Sequence, residues 1–201
     1  MAGVAEKAIR IVVKTKDKQN GTCHWEESGF GGGRGHAGGY NSGMTLEFRR
    51  AVVPEEAAEL WKLDVQIFGD DAFAEELWLS LESYWIVVDG RVAGCAAFIH
   101  DVEFQEDLRT DRENAAQRGT LYIQSTGLLR AYQGQGLGKR IKEWQIEYAR
   151  RNGFHRIVTN CRESNARMIS INEKCGFRAI RSTPGYYEDG EATVVMELVL
   201  P

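Results

Sequence analysis

Residues 133–138 read Gln133-Gly134-Gln135-Gly136-Leu137-Gly138, and the reading of this stretch decides the fold. An apolar run, Leu121 to Leu129, leads into it, and a helical pattern follows it. Gly134, Gly136 and Gly138 let the backbone turn tightly and leave its N–H groups uncovered by side chains. A helix that opens here points its free N–H groups and the positive end of its dipole at whatever lies above the turn. The stretch is thus an anion site, most naturally for a phosphate or pyrophosphate, or else an ordinary strand-to-helix turn. Two common phosphate motifs do not fit. The P-loop needs Lys-Ser/Thr after its last glycine, where this chain has Lys139-Arg140. The dinucleotide fingerprint needs Gly-x-Gly-x-x-Gly, and the spacing here is Gly-x-Gly-x-Gly.

The remaining chain is that of a globular protein. Its 201 residues are enough for one domain with a proper core, and 43% hydrophobic with 27% charged residues is the profile of a soluble fold. A net charge of −4 argues against a dedicated nucleic-acid binder, which needs a basic face. Cys23, Cys95, Cys161 and Cys175 form no C-x-x-C pair and read as reduced thiols. Charges precede the few apolar residues near the N-terminus, and no apolar run reaches membrane-spanning length. No nucleic acid, no membrane, no metal and a cytoplasmic location are the expectations.

Residues 1–43 read as a glycine-rich N-terminal extension, with a short strand over Ala8–Lys14. His24, His36 and Cys23 match no zinc spacing and read as part of a flexible surface loop. A domain pattern begins at 44 and continues to 201. Leu46 to Val53 reads as a strand, and Pro54-Glu55-Glu56 opens a helix carrying Leu60, Trp61, Val65 and Phe68. A second helix is expected over Phe73–Leu81. Tyr84–Val88 and Val92–Ile99 flank Asp89-Gly90, a hairpin turn signal. Asp101 to Arg118 is a polar loop or short helix before the strand Thr120–Leu129. After the glycine stretch, Leu137, Ile141, Trp144 and Tyr148 mark an amphipathic helix that stops at Asn152-Gly153. A strand at Arg156–Thr159 follows, then a helix capped by Ser164-Asn165 and stopped at Gly176. Strands from Phe177 and from Ala192 to Leu200 complete an α+β domain: one mixed, mostly antiparallel central sheet flanked by helices.

Three separated segments resemble the GNAT acetyltransferase superfamily, in the right order. Gln133, Gly136 and Gly138 fit its pyrophosphate loop, Gln/Arg-x-x-Gly-x-Gly/Ala. Asn165 and Gly176-Phe177 fit its Asn-x-x-Ala-x-x-x-Tyr-x-x-x-Gly-Phe segment. The hairpin Tyr84–Phe98 is similar to the family's aromatic-aliphatic strand, Asp-Gly turn and Gly-x-Ala-x-Phe return. The resemblance covers residues 45–200 and implies a GNAT-like domain with acetyl-CoA as co-substrate. It implies that Thr126, Gly127 and Leu128 line the pantetheine arm, with the Leu128 N–H polarising the thioester carbonyl. It implies that Gln133, Gly134, Gln135, Gly136, Leu137, Gly138 and Lys139 take the pyrophosphate, with charge added by Lys139 and Arg140 or with those two as a solvated helix face. Asn165 matches a CoA contact and is also a helix N-cap.

The implied chemistry is acyl transfer to an amine, which needs a proton acceptor, and a thiolate that benefits from a proton donor. The family positions for these groups fall on Tyr122, Asn160 and Asn172. Tyr122 works as a base only with a strongly lowered pKa, and the two asparagines orient a water or a thiol without titrating. Alternation along the strand places Gln124 and Thr126 on the face of Tyr122. His100, Asp101, Glu103, Tyr186 and Tyr187 are the candidates outside the motif. Pro184 to Ala192 and Met196-Glu197-Leu198 resemble the C-terminal hairpin of protein N-terminal acetyltransferases, including the ribosomal-protein alanine enzymes, where the tyrosine pair lies over the acceptor peptide. Gln124, Tyr186 and Tyr187 are accordingly candidate acceptor contacts. The expected activity is acetyl transfer from acetyl-CoA to a primary amine of a small molecule or peptide. Protein N-terminal acetylation and a non-catalytic acyl-CoA-binding module are the alternatives, and a homodimer through an edge strand is a further expectation.

Overall fold

The computed structural model describes the backbone of residues 22–24 and the whole of residues 44–100 and 119–201. The expected strand at residues 8–14 and the loop at 101–118, with Asp101 and Glu103, lie outside the described residues. Strand β1 (Thr22–His24) pairs antiparallel with β2 (Leu46–Arg50). Part of the N-terminal extension therefore adds an edge strand rather than forming only a surface loop. The other strands are β3 (Glu82–Val88), β4 (Arg91–His100), β5 (Thr120–Leu128), β6 (Arg156–Arg162), β7 (Arg178–Thr183) and β8 (Thr193–Val199). Their order across the sheet is β1-β2-β3-β4-β5-β6-β8-β7. Every pairing is antiparallel except β5 with β6.

Helix α1 (Ala57–Phe68) starts at Ala57, later than Pro54, because Glu56 serves the preceding turn. Its carboxylate accepts from the Val52 N–H at 2.7 Å and pairs with Arg49 at 3.0 Å. The expected second helix is shorter, α2 (Glu75–Trp78), preceded by a 3-10 turn at Gly69–Asp71. Asp64 explains the difference: buried in α1, it accepts from the Phe73 N–H at 3.0 Å and from the Ser125 hydroxyl at 3.2 Å. That carboxylate ties the 69–74 segment to the sheet before α2 can begin. Asp89 and Gly90 both take positive φ, 47° and 73°, as the hairpin turn requires.

Two apolar layers sandwich the sheet. On one face α1 and α2 cover Ala51, Trp85, Cys95 and Ala97. On the other, α3 (Leu137–Arg151) and α4 (Ala166–Lys174) cover Phe48, Phe98, Leu121 and Ile157. Trp144 of α3 stacks on Phe48 with centroids 4.4 Å apart, and Tyr148 stacks on Phe98 at 5.2 Å. Such pairs add roughly 0.5–1.5 kcal/mol each beyond their buried area. Among the described residues, no helix is long and apolar enough to cross a membrane, and no cluster of three His, Cys, Asp or Glu could hold a metal.

Candidate active site

The one parallel pairing is also the shortest long-range register in the sheet's centre. β5 and β6 pair from Thr120–Arg156 to Tyr122–Val158 and no further, though β5 runs on to Leu128 and β6 to Arg162. Beyond Tyr122 the two strands part, and a wedge opens in the sheet. β4 holds the other edge of β5, where the Leu129 N–H donates to the Ala93 carbonyl at 2.8 Å. Successive residues of an antiparallel ladder turn their backbone groups to opposite edges. The Leu128 N–H and the backbone polar groups of Thr126 therefore face the wedge.

The glycine stretch stands at the mouth of that wedge. Gly134 and Gly136 take φ of 85° and 79°, a left-handed conformation that side chains resist. Gly136 is the N-cap of α3 and no side chain caps it. The first N–H groups of α3 thus lack an intrahelical partner by geometry and face outward with the dipole. Gln133 anchors the loop by donating from Nε2 to the Leu128 carbonyl at 2.9 Å, and Gln135 donates to the Ala131 carbonyl at 2.7 Å. A Cβ on Gly138 would come within 3.0 Å of Ile171 Cδ1, so the third glycine lets α3 pack on α4. Lys139 pairs with Glu143 one turn along the exposed helix face. Asn165 caps α4, its Oδ1 accepting from the Met168 N–H at 3.1 Å.

On the α1 side of the wedge lies a hydroxyl and amide cluster. Tyr122 donates its phenol O–H to Asn160 Oδ1 at 2.9 Å, and Asn160 Nδ2 donates to Thr193 Oγ1 at 2.9 Å. Burial, and then the nearby Tyr186 and Tyr187, push the Tyr122 phenol well above its ordinary range. The shift is opposite to the strong lowering that a base role for Tyr122 requires, and the phenol stands here as the hydrogen-bond donor to Asn160. Tyr186 and Tyr187 meet edge to face, centroids 5.2 Å apart, and Tyr187 is buried. Asn172 is buried on α4 and donates to Met196 Sδ at 3.4 Å.

Two further expectations are corrected. Thr126 does not share a face with Tyr122. The β4–β5 register passes from Ala97–Ser125 to Phe98–Ile123, so Gln124 is an inserted bulge residue and the alternation shifts. Thr126 consequently meets α3, where Gln145 Nε2 donates to its hydroxyl at 3.2 Å. Gln124 is buried at the bulge, and its Oε1 has no hydrogen-bond partner among the described residues. Gly127 does admit a close neighbour, but from the protein itself: a Cβ there would lie 2.2 Å from Phe68 Cζ and 2.5 Å from Ile67 Cγ2. His100 sits at the far end of α3, paired with Glu82 and 5.0 Å from the Phe154 ring. The 15-residue helix separates it from the glycine loop by about 20 Å.

The sequence reading gave no role to Arg162, the hub of an ion-pair cluster at the end of β6. Its guanidinium pairs bidentately with Asp71 at 2.8 and 2.9 Å, and with Asp189 at 2.7 Å and Glu191 at 2.6 Å. It also stacks over the Tyr187 ring, 3.9 Å from the centroid. The Asp71 hydrogen bonds, with those of Glu191 and Asp189, raise its already high pKa further. The 69–71 turn and the Tyr186-Tyr187 loop are thus locked together at the end of β6.

A strand that peels away from its parallel neighbour, with a glycine loop opening a helix at the gap, sets an open backbone edge beside an anion-binding turn. The family profile described as the acetyltransferase (GNAT) family matches residues 53–177. The chain belongs to the GNAT acetyltransferase family, a family of acyltransferases. Similar solved structures include the ribosomal-protein-S18-alanine N-acetyltransferase from Escherichia coli, at 18% identity and a TM-score of 0.61 over 77% of this chain and 94% of that one. NAA60 of Arabidopsis thaliana, solved with acetyl-CoA, is 19% identical with a TM-score of 0.61 over 78% of this chain and 100% of that one. A Bacillus subtilis acetyltransferase in complex with CoA is 20% identical with a TM-score of 0.59 over 78% and 99%. At these identities the likeness shows the fold. A search of curated protein sequences found no match.

Proposed function

We propose that this protein transfers the acetyl group of acetyl-CoA directly, in a ternary complex, to a primary amine of a small molecule or peptide. The observation that carries this reading is the glycine loop, which opens α3 beside the edge of β5 that its pairing with β6 leaves open in the middle of the sheet. Gln133 to Lys139 would hold the pyrophosphate, and Asn165 would contact CoA. Thr126, Gly127 and Leu128 would line the pantetheine arm, with the Leu128 N–H facing the thioester oxygen. The acceptor would enter from the α1 side past Gln124, Tyr186 and Tyr187. Tyr122 and Asn160 would hold water, which takes the amine's proton. The thiols Cys161 and Cys175 fit a reducing, cytoplasmic setting. A homodimer through the exposed edge strand β7 completes the proposal and is checked by sedimentation.

Calorimetry of the full chain with acetyl-CoA is the first test, and no binding would overturn the reading. Transfer from labelled acetyl-CoA to a panel of amines, antibiotics and N-terminal peptides then names the acceptor. A second reading, acetylation of protein α-amines, is favoured by the Tyr186-Tyr187 loop fastened over the wedge by Arg162. Transfer to alanine- or serine-led peptides but not to free amines would establish it.

A further inference from the structure

Lys142 has no part in the site described so far. It lies on α3, four residues after Gly138, fully buried, and its Nζ has no hydrogen-bond partner among the described residues. Its ammonium rests over the Phe177 ring, 5.0 Å from the centroid. The other buried residues of α3 are apolar, such as Leu137, Ile141 and Trp144, or a tyrosine, except Gln145, which donates to Thr126, so the buried ammonium carries a desolvation cost that an apolar residue would not.

Two more buried polar atoms lack a hydrogen-bond partner among the described residues: Oδ1 of Asn172 on α4, and Oγ1 of Thr159 on β6, two residues before Cys161, which faces Lys142. Contacts join the three. The Phe177 N–H under Lys142 donates to the Asn172 carbonyl at 3.0 Å. Asn172 Nδ2 donates to Met196 Sδ, and Met196 is the cross-strand partner of Thr159. Thr159 is also the first β6 residue past the last pair with β5, at the apex of the wedge. Buried polar groups normally find partners, so three orphans linked through Phe177 and Met196 mark a place that something else completes.

The acetyl-CoA reading, on which this inference rests, says what completes it. A donor held by the glycine loop runs its arm down the open edge of β5, from Leu128 through Thr126 toward the apex. Its sulfur then arrives beside Thr159, Asn172 and Lys142. We propose that Lys142 is the proton donor to the departing CoA thiolate, in a pocket it shares with Thr159 and Asn172. The acceptor amine attacks the acetyl carbon and the C–N bond forms. The C–S bond breaks with its electron pair on sulfur. Sulfur takes a proton from the Lys142 ammonium, giving free CoA thiol and a neutral amine. The acceptor nitrogen loses its proton to water, and Lys142 recovers one from water. Amine and acetyl-CoA become amide and CoA, with every proton placed.

Burial supports the role by lowering Lys142 to about 7, where a proton is held and released near neutral pH. The titratable groups that face it are Cys161 from β6 and Cys175 from the end of α4. Burial pushes Cys161 up to about 12 and raises Cys175, so both remain thiols. On its own helix, Lys139 and Glu143 pair with each other at the surface.

The test needs no acceptor. The thiol of bound CoA is titrated by its thiolate absorbance, as the difference between the CoA and desulfo-CoA complexes of the full chain. The unaltered protein, Lys142→Met and Lys142→Arg are compared, with Lys142→Gln in reserve should methionine fail to fold. The Lys142→Arg guanidinium keeps its charge while the thiol titrates, so the bound thiol is expected to ionise about one pH unit lower in Lys142→Arg than in Lys142→Met, with the unaltered protein, whose Lys142 is neutral above about pH 7, close to Lys142→Met. Calorimetric CoA affinity should stay within a few-fold in all of them. Identical thiol titrations in Lys142→Arg and Lys142→Met would show that position 142 does not face the sulfur, which would overturn the role of Lys142 and leave the acetyl-CoA reading intact. Absence of CoA binding to the unaltered protein would instead overturn both.

Discussion

Lys142 and Tyr122 show how one side chain's surroundings set its chemistry. The folded pKa of Lys142 lies near 7, below its ordinary 10.5. Between those two values the unfolded chain binds the proton more tightly than the folded one, so stability should rise as pH increases from about 7 to 10. Below pH 7 both forms are protonated and the full cost of burial remains. Lys142→Met should therefore stabilise the protein by about 1–4 kcal/mol at pH 7 and flatten this slope. Melting curves at several pH values check it, and an unchanged slope would show that Lys142 is not the group responsible. Tyr122→Phe should cost about 1–3 kcal/mol, because it leaves the buried Asn160 carbonyl without its donor. Its pH–rate profile should keep the same acid and alkaline limbs. A lost alkaline limb would mean that the phenol titrates during turnover after all.

At the scale of elements, glycines do separate jobs that adjacent sequence does not distinguish. Gly136→Asp should weaken acetyl-CoA binding at least tenfold by placing a carboxylate where the pyrophosphate sits. The fold should survive, since no atom lies within 4 Å of the added Cβ and Asp tolerates positive φ better than most residues. Gly127→Ala should act on stability instead, costing about 1–3 kcal/mol as the new methyl drives into Phe68 and Ile67. Calorimetry and denaturant melts on both variants separate the two; equal effects on both readouts would contradict the assignment. Local signals made the hairpin at Asp89-Gly90, the helix at Leu137 and the cap at Asn165 legible, because turn chemistry and helical periodicity act over a few residues. The bulge at Gln124 was illegible, because it exists only in the register of β5 against β4, and it reassigned Thr126 to the opposite face.

The whole molecule is fastened on its acceptor side by Arg162, which joins β6 to Asp71, 91 residues away, and to Asp189 and Glu191 in the β7–β8 loop. Arg162→Gln should loosen the Tyr186-Tyr187 loop. We expect the acceptor KM to rise roughly tenfold while acetyl-CoA affinity stays within about twofold, the signature of a positioning residue rather than a donor contact. Steady-state kinetics with the acceptor found in the labelled-acetyl screen check this, and equal losses on both substrates would argue for general unfolding. Nothing in the spacing of Arg162, Asp71, Asp189 and Glu191 could have revealed the hub, since their meeting depends on how the sheet brings two loops together.

By itself the sequence determined the order of strands and helices from residue 45 on, the family, and the glycine turn at Gln133–Gly138 that opens α3. Those depend on short-range patterns: apolar periodicity, turn residues, caps and glycine spacing. The tertiary structure alone decided where the β5–β6 pairing stops, which way Thr126 and Gly127 face, that burial raises the Tyr122 phenol, and that Lys142 is buried without a hydrogen-bond partner among the described residues. In the sequence Lys139, Arg140 and Lys142 are three basic residues of one helix. Only packing against Phe177 and the strand β6 takes Lys142 out of water and gives it a chemistry that the other two lack.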